Sequence, residues 1–383
     1  MINRISKMLR RPQAVPFLIA GLVGVVWLGD MAPPKQTAAA EFRSALPGYQ
    51  FRFPHDHGTH DDFQTEWWYY TGHLRAEDGK TFGYQLTFFR RAAAREAMAG
   101  NPSRWTIRHL YFAHFALTDD TGRRFHFAEK IARAGIGKAG AHTERLGVWI
   151  DEWAVQADGN AHVLQAQSEG LALRLRLTPE KPPVIHGTNG ISRKGDGPGE
   201  RSHYYSFTRM QTDGTLTVSG TTMPVTGLSW MDHEFGSNQL GREQVGWDWF
   251  SLQFADSTEL MVYQVRRRDG SVEPASGGTW VRADGSAVPL PRDAIAIDVL
   301  DRWLSPQSGG RYPGRWRIRV PLVRLSVEVT PALSDQELIT RHSTRVTYWE
   351  GSVTATGERD GQPVAGLGYA ELTGYAAPLK RRL

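Results

Sequence analysis

Pro224-Val225-Thr226-Gly227-Leu228-Ser229-Trp230-Met231-Asp232 recurs, altered but without a gap, as Pro363-Val364-Ala365-Gly366-Leu367-Gly368-Tyr369-Ala370-Glu371. The shared pattern is Pro-Val-x-Gly-Leu-x-aromatic-x-acid. The copies part directly afterwards, with His233-Glu234 in the first and Leu372-Thr373 in the second. Other pieces repeat in the same order. Trp67-Trp68-Tyr69-Tyr70 through Leu74, then Tyr84-Gln85-Leu86, matches Trp247-Asp248-Trp249-Phe250 through Phe254, then Tyr263-Gln264-Val265. Leu216-Thr217-Val218-Ser219-Gly220 matches Val353-Thr354-Ala355-Thr356-Gly357. The period is far longer than that of a solenoid, so the pattern predicts two related domains. They occupy residues 41–238 and 239–383, with the boundary near Gly236–Arg242. Features common to both copies are then expected to serve the fold. Titratable groups found in one copy alone are better candidates for chemistry.

Strand-type alternation dominates after residue 60. Phe82, Tyr84, Leu86 and Phe88 fall on one strand face, and Leu171, Leu173, Leu175 and Leu177 on another, with Arg174 and Arg176 turned outward. Trp316, Ile318 and Val320 make a third row; Leu325, Val327 and Val329 make a fourth. Turn signals stand at Glu77-Asp78-Gly79, Asp213-Gly214, Asp269-Gly270, Asp284-Gly285 and Asp360-Gly361. One short helix is expected, from Arg91 to Met98. The fold class is all-β: many short antiparallel strands forming barrels or sandwiches, two in tandem.

The first forty residues read as an export leader. Arg4, Lys7, Arg10 and Arg11 precede an apolar run from Ala14 to Gly29, and Ala38-Ala39-Ala40 offers a cleavage site. The mature protein is therefore expected in the periplasm or outside the cell; uncleaved, the segment would be a short inner-membrane anchor. The formal charge is +5, of which Arg4, Lys7, Arg10, Arg11 and Lys35 against Asp30 supply +4. The remainder is nearly neutral, which argues against a nucleic-acid partner. Arg266-Arg267-Arg268 and Lys380-Arg381-Arg382 read as solvated charge. Cysteine is absent, which excludes thiol catalysis, disulfides and cysteine-ligated metals.

There is no Gly-x-Ser-x-Gly elbow, Walker loop, Rossmann fingerprint or His-Glu-x-x-His. What remains is acids and imidazoles beside aromatic rings. On a strand, Asp232 and Glu234 share one face and His233 takes the other. A carboxyl among tryptophans has its charged form disfavoured by desolvation, which keeps a general acid protonated near neutral pH. Asp232 fits that description, and so does Glu66 beside Trp67 and Trp68. The competing reading is a buried acid that stitches the barrel, and Glu371 at the matching place keeps it open for Asp232. His233 and Glu234 have apolar or neutral counterparts. Trp67, Trp68, Tyr69, His114, Tyr204, Trp230 and Trp247 are the candidate ligand contacts, although repeated tryptophans also suit a framework. His55-Asp56-His57-Gly58-Thr59-His60-Asp61-Asp62 resembles a metal site, since His55 and His57 would point the same way in extended chain. It also reads as a polar approach to the first strand. No metal or cofactor is assigned.

At these residues the chain resembles the AttH-like and carotenoid 1,2-hydratase-related proteins, often labelled secreted hydrolases. The resemblance is carried by Asp56-His57-Gly58 through Glu66-Trp67-Trp68-Tyr69, His114-Phe115-Ala116-Leu117-Thr118-Asp119, Trp230-Met231-Asp232-His233-Glu234-Phe235, Gly246-Trp247-Asp248-Trp249-Phe250, and Tyr348-Trp349-Glu350-Gly351 through Glu371-Leu372-Thr373-Gly374-Tyr375. It implies two consecutive lipocalin-like antiparallel β-barrels and association with ABC-transporter permeases. The carotenoid branch adds water to an isolated alkene without a cofactor. Two functions are therefore expected. One is an exported protein that binds a hydrophobic or lipid-like ligand beside an ABC-transporter permease. The alternative is a cofactor-free acid/base hydratase or hydrolase acting on a hydrophobic substrate.

Overall fold

The structure, a computed structural model, describes residues 41–93, 106–188, 190–197, 199–237 and 240–379. The leader, the expected helix beyond Ala93, and Lys380-Arg381-Arg382 lie outside them. Arg91 and Ala92, expected to begin that helix, end a strand instead.

The first half opens with the hairpin β1 (Thr65–Ala76) and β2 (Thr81–Ala92), then β3 (His109–Asp119) and β4 (Arg124–Arg133). Five shorter strands follow: β5 (Ala139–Ala141), β6 (Gly147–Ile150), β7 (Trp153–Asp158), β8 (Ala161–Ser168) and β9 (Leu171–Pro179). Two-residue strands β10 (Val184–Ile185) and β11 (Ser192–Arg193) precede the long pair β12 (Arg201–Val218) and β13 (Thr221–Gly236). The second half holds β14 (Gln244–Phe254), β15 (Glu259–Arg267), β16 (Gly277–Val281), β17 (Ala287–Pro291) and β18 (Ala296–Leu304). It continues through β19 (Arg311–Val320), β20 (Leu325–Pro331), β21 (Glu337–Ile339), β22 (Thr347–Arg359) and β23 (Gln362–Thr373).

One sheet runs β4-β3-β2-β1-β13-β12-β9-β8-β7-β6-β5, and the other runs β17-β16-β15-β14-β23-β22-β20-β19-β18. Substituting β14 for β1, β23 for β13 and β22 for β12 turns one order into the other through nine strands. The sequence repeat is a repeat of topology. The first sheet bends until β3 and β4 meet β6 and nearly closes as a barrel; the second curls as a half-barrel.

All four apolar rows read from the sequence are core. Phe82, Tyr84, Leu86 and Phe88 join the leucines of β9 inside the first sheet. Trp316, Ile318, Val320, Leu325, Val327 and Val329 fill the second. Ring edges meet ring faces there, as in Phe115 on Trp153 at 5.9 Å and Phe250 on Trp316 at 5.2 Å. The turn expected at Asp213-Gly214 is absent, because β12 runs straight through it and the hairpin turns at Ser219-Gly220. Gly214 is there for closeness: a Cβ on it would lie 2.1 Å from the Arg174 carbonyl oxygen of β9. Gly214→Ala is expected to force the two strands apart and cost about 1–3 kcal/mol, read as a lower urea midpoint.

A third apolar cluster joins the sheets: Tyr69, Tyr204 and Trp230 from the first against Trp249, Met261 and Tyr369 from the second. Buried polar bonds span the same seam. Gln253 Nε2 donates to the Thr208 and Ser229 carbonyls at 2.8 and 3.0 Å, and Thr118 Oγ1 donates to Gln336 at 2.6 Å. Lys181 Nζ and Arg209 Nε both reach the fully buried Glu259 carboxylate, at 2.8 and 2.6 Å.

Candidate functional site

The strand period divides the candidate residues between two places. In the β1/β13 ladder Trp67 lies opposite Glu234, Trp68 opposite His233, and Tyr69 opposite Asp232. Side chains alternate across the sheet, so Glu66, Trp68, His233 and Phe235 point into the first barrel. Trp67, Tyr69, Asp232 and Glu234 point out of it, toward the second sheet. Asp232 and Glu234 share one face and His233 takes the other, as read from the sequence.

Inside the barrel, Glu66 is saturated. Its carboxylate accepts from Thr59 Oγ1 at 2.8 Å, His60 Nδ1 at 2.7 Å, Arg90 Nε at 2.9 Å and His233 Nε2 at 2.9 Å. Burial by itself would raise this carboxyl, but the Arg90 guanidinium and the His60 ring hold it well below the usual range. The protonated Glu66 expected from its tryptophan neighbours is therefore corrected: it is an ionised anchor. His233 stacks on Trp68 at 4.9 Å and meets the Tyr205 hydroxyl at 3.0 Å, which in turn meets His57 Nδ1 at 2.6 Å. Residues 55–57 form a 3-10 turn that brings His57 against the barrel interior and leaves His55 exposed, so the two do not point the same way. Ligand atoms of His60, Glu66 and His233 lie within 4.8 Å of one another. Hydrogen bonds already join Glu66 to both rings, so this cluster closes the barrel end. Tyr205→Phe would strip the buried His233 and the half-buried His57 of their shared partner, with an expected loss of about 1–3 kcal/mol in denaturant unfolding.

Outside the barrel, between the sheets, lies a cavity of about 560 Å³. Trp67, Tyr69, Phe89 and Tyr204 line it from the first sheet and Trp247, Trp249 and Tyr263 from the second. Four carboxyls face it: Asp232 and Glu234 from β13, Glu350 from β22 and Glu371 from β23. Asp232 accepts from Trp230 Nε1 at 2.7 Å and Tyr204 Oη at 2.9 Å, and also from Ser206. Burial pushes it up to about 7, against those donors, and the neighbouring Glu234 adds to the rise. Glu371 accepts from Trp247 Nε1 at 3.0 Å. Burial, then the charges of Asp232 and Glu234, push it up to about 7 as well. Glu234 is ion-paired with Lys194 Nζ at 3.0 Å and held by Ser202. Burial alone would lower the Lys194 ammonium; Glu234, then Tyr263, outweigh it and raise it.

Of the residues singled out from the sequence, Trp67, Tyr69, Tyr204, Trp247, Asp232 and Glu234 meet at this cavity. Trp230 stands behind it as a donor to Asp232. Trp68 is core of the first barrel. His114 lies elsewhere in the seam, between the Tyr348 hydroxyl at 2.7 Å and Ser343 Oγ at 2.9 Å. Glu350, Glu371, Trp249 and Lys194 were missed. Glu371 was visible as the counterpart of Asp232 but counted toward the framework, because shared features were expected to serve the fold. The structure corrects that expectation: equivalent strands face each other across the seam, so both copies of the acid reach one cavity.

A family model described as AttH-like matches residues 44–375. The crystal structure of a Nitrosomonas europaea protein described as an AttH is 37% identical, with a TM-score of 0.79, over 87% of this chain and 99% of that one. The crystal structure of kievitone hydratase from Nectria haematococca shares the fold at 15% identity and a TM-score of 0.63, over 83% of this chain and 90% of that one. Dehydratase asqC of Emericella nidulans is 21% identical over 247 residues, 63% of this chain. The match spans 66% of that relative's length, just under two thirds. The match across nearly all the described residues, together with the doubled antiparallel sheet, shows that the chain belongs to the AttH-like family.

Proposed function

We propose that the protein is a cofactor-free acid/base enzyme that adds water to, or removes it from, an apolar substrate held between the two sheets. The observation that carries this reading is Asp232: a fully buried carboxyl at the wall of a ring-lined cavity, with its acidity moved to about 7. A carboxylic acid so placed holds a proton at neutral pH and can release it to a substrate bound beside it. Similarity to a hydratase and a dehydratase supports the same reaction class.

In the hydration direction, the Asp232 proton goes to one alkene carbon and the π pair forms the new C–H bond. The cation left on the other carbon faces Trp67, Tyr69, Trp247 and Trp249, whose π faces favour positive charge. Water adds there, and its surplus proton passes to Glu371, across the cavity. Two carboxyls that interact near pH 7 suit this exchange, because ionising one favours the proton on the other. His233, a candidate from the sequence because its counterpart is apolar, is on the far face of the sheet and takes no part. Dehydration runs the same steps backward.

The test is incubation of the purified protein with an organic extract of its cells in ¹⁸O-labelled water. Expected is a compound that gains one labelled water, or the loss of one water from a hydroxylated compound. Co-purified molecules released chemically unaltered, with no labelled product, would instead favour carriage of an apolar ligand and end the enzyme reading.

A further inference from the structure

Two polar groups in the cavity wall lack a well-formed hydrogen bond. Glu350 is 2% exposed and Tyr69 7% exposed, and both line the cavity. The Tyr69 hydroxyl and the Glu350 carboxyl stand close enough to influence each other, yet neither the hydroxyl nor Glu350 Oε1 completes a well-aligned hydrogen bond with any described residue. The other cavity carboxyls are all engaged: Asp232 by Trp230 and Tyr204, Glu371 by Trp247, and Glu234 by Lys194. Folded chains rarely leave buried polar atoms unsatisfied, and those that remain often mark a place for something else to bind. Tyr69 belongs to β1 and Glu350 to β22, so the seam between the sheets is what sets them at the same opening.

Their protonation suits a neutral guest. Burial, then the charge of Glu371 directly opposite in the β22/β23 ladder, raises Glu350 well above the usual carboxyl range. Burial likewise keeps the Tyr69 phenol protonated. Together they offer hydroxyl donors and a carbonyl acceptor, with no net charge. Neither group favours an anionic guest, since a protonated carboxyl and a phenol carry no positive charge, and the cavity's cations, Lys194 and Arg91, already have partners. A saturated chain or a plain polyene would bury both groups and satisfy neither.

We propose that Glu350 and Tyr69 anchor an oxygen function, hydroxyl or carbonyl, on an otherwise apolar substrate skeleton, and so set its reacting carbon against Asp232. The substrate class is therefore an oxygenated apolar molecule, not a hydrocarbon or an acyl chain. This rests on the reading of the cavity as the substrate site. Discrimination follows from the cost of desolvating a polar pair that the wrong guest leaves unpaired, which is larger than the gain from one more apolar contact.

Ligand-observed NMR titration with 2-naphthol, 2-acetonaphthone and 2-ethylnaphthalene tests it, since the three share a ring system and differ in oxygen. The oxygenated probes are expected to bind about tenfold tighter than the hydrocarbon, the worth of a buried hydrogen bond pair. The alcohol and ketone arms tell which oxygen function the pair takes. Glu350→Leu is expected to abolish the preference and Tyr69→Phe to reduce it. Glu350→Gln, which keeps a donor and an acceptor, is expected to retain it. Asp232→Asn is expected to keep the preference while losing turnover. Equal binding of all three probes by the parent, or a preference surviving both Glu350→Leu and Tyr69→Phe, overturns the anchor and leaves the acid reading intact. A preference lost in Asp232→Asn as well assigns the oxygen to Asp232 and also overturns it. Binding of none of the probes overturns the anchor and the apolar cavity together. Turnover that survives Asp232→Asn sinks the acid reading alone.

Discussion

Asp232→Asn is expected to lower turnover by about 10²–10⁴-fold, the span that a positioned general acid supplies, while the melting temperature moves little. The amide fits the existing bonds. Its carbonyl can accept from Trp230 and Ser206, and its NH₂ can donate to the Tyr204 hydroxyl that now donates to the carboxylate. What the variant lacks is a transferable proton. The parent should lose activity as the pH rises through about 7, because the acid is then ionised. Stability carries the same sign. The folded-state value is raised from 3.8 to about 7, so the folded protein holds this proton more tightly than the unfolded chain. That contribution is fully present below about 3.8 and lost as the pH climbs through about 7. At pH 8 the parent has an ionised carboxylate in a dry wall, and the variant should be at least as stable there. A variant with full activity, melting far below the parent, would mark Asp232 as a stitch between strands.

The second large effect concerns the joint that makes the cavity. Glu259→Ala removes the common acceptor of Lys181 and Arg209 and leaves two buried cations, on β12 and on the β9–β10 connection, without it. Breaking a buried pair in this way costs about 3–5 kcal/mol, mainly from the charges left behind. The expected result is a clear fall in the urea midpoint. Opening of the seam should accompany it, read as faster quenching of tryptophan fluorescence by acrylamide, because Trp67, Trp247 and Trp249 line the cavity. Replacing all three with apolar residues of similar volume should recover much of the loss, since the net worth of a buried ion cluster is small beside the cost of breaking it. If Glu259→Ala leaves the midpoint unchanged, the cluster contributes nothing to the joint.

The sheet itself was legible because its side chains repeat every second residue. The rows Phe82 to Phe88 and Leu171 to Leu177 announce which face is dry, and the cores contain them. The same period sets His233 on the opposite face from Asp232 and Glu234. Turns were less legible. Asp213-Gly214 looks like a hairpin, but its glycine answers a carbonyl of the neighbouring strand, a contact between segments far apart in the chain. Glu66 failed for a similar reason. Its adjacent tryptophans suggested a protonated acid, whereas its state is set by Arg90, twenty-four positions away, and by His60 and His233.

By itself, then, the sequence determined the doubled all-β architecture, the core rows and the local face of the candidates that lie on strands, because those follow from alternation along one strand. Only the tertiary structure decided which candidates meet. Copies of one strand pair face each other across the seam, so Asp232 and Glu371, equivalent in the repeat, became opposite walls of one cavity, while Glu66 and His233 were sealed into the first barrel. Their protonation followed, since the charge on a buried acid depends on which neighbours packing brings to it, and those neighbours come from both halves of the chain.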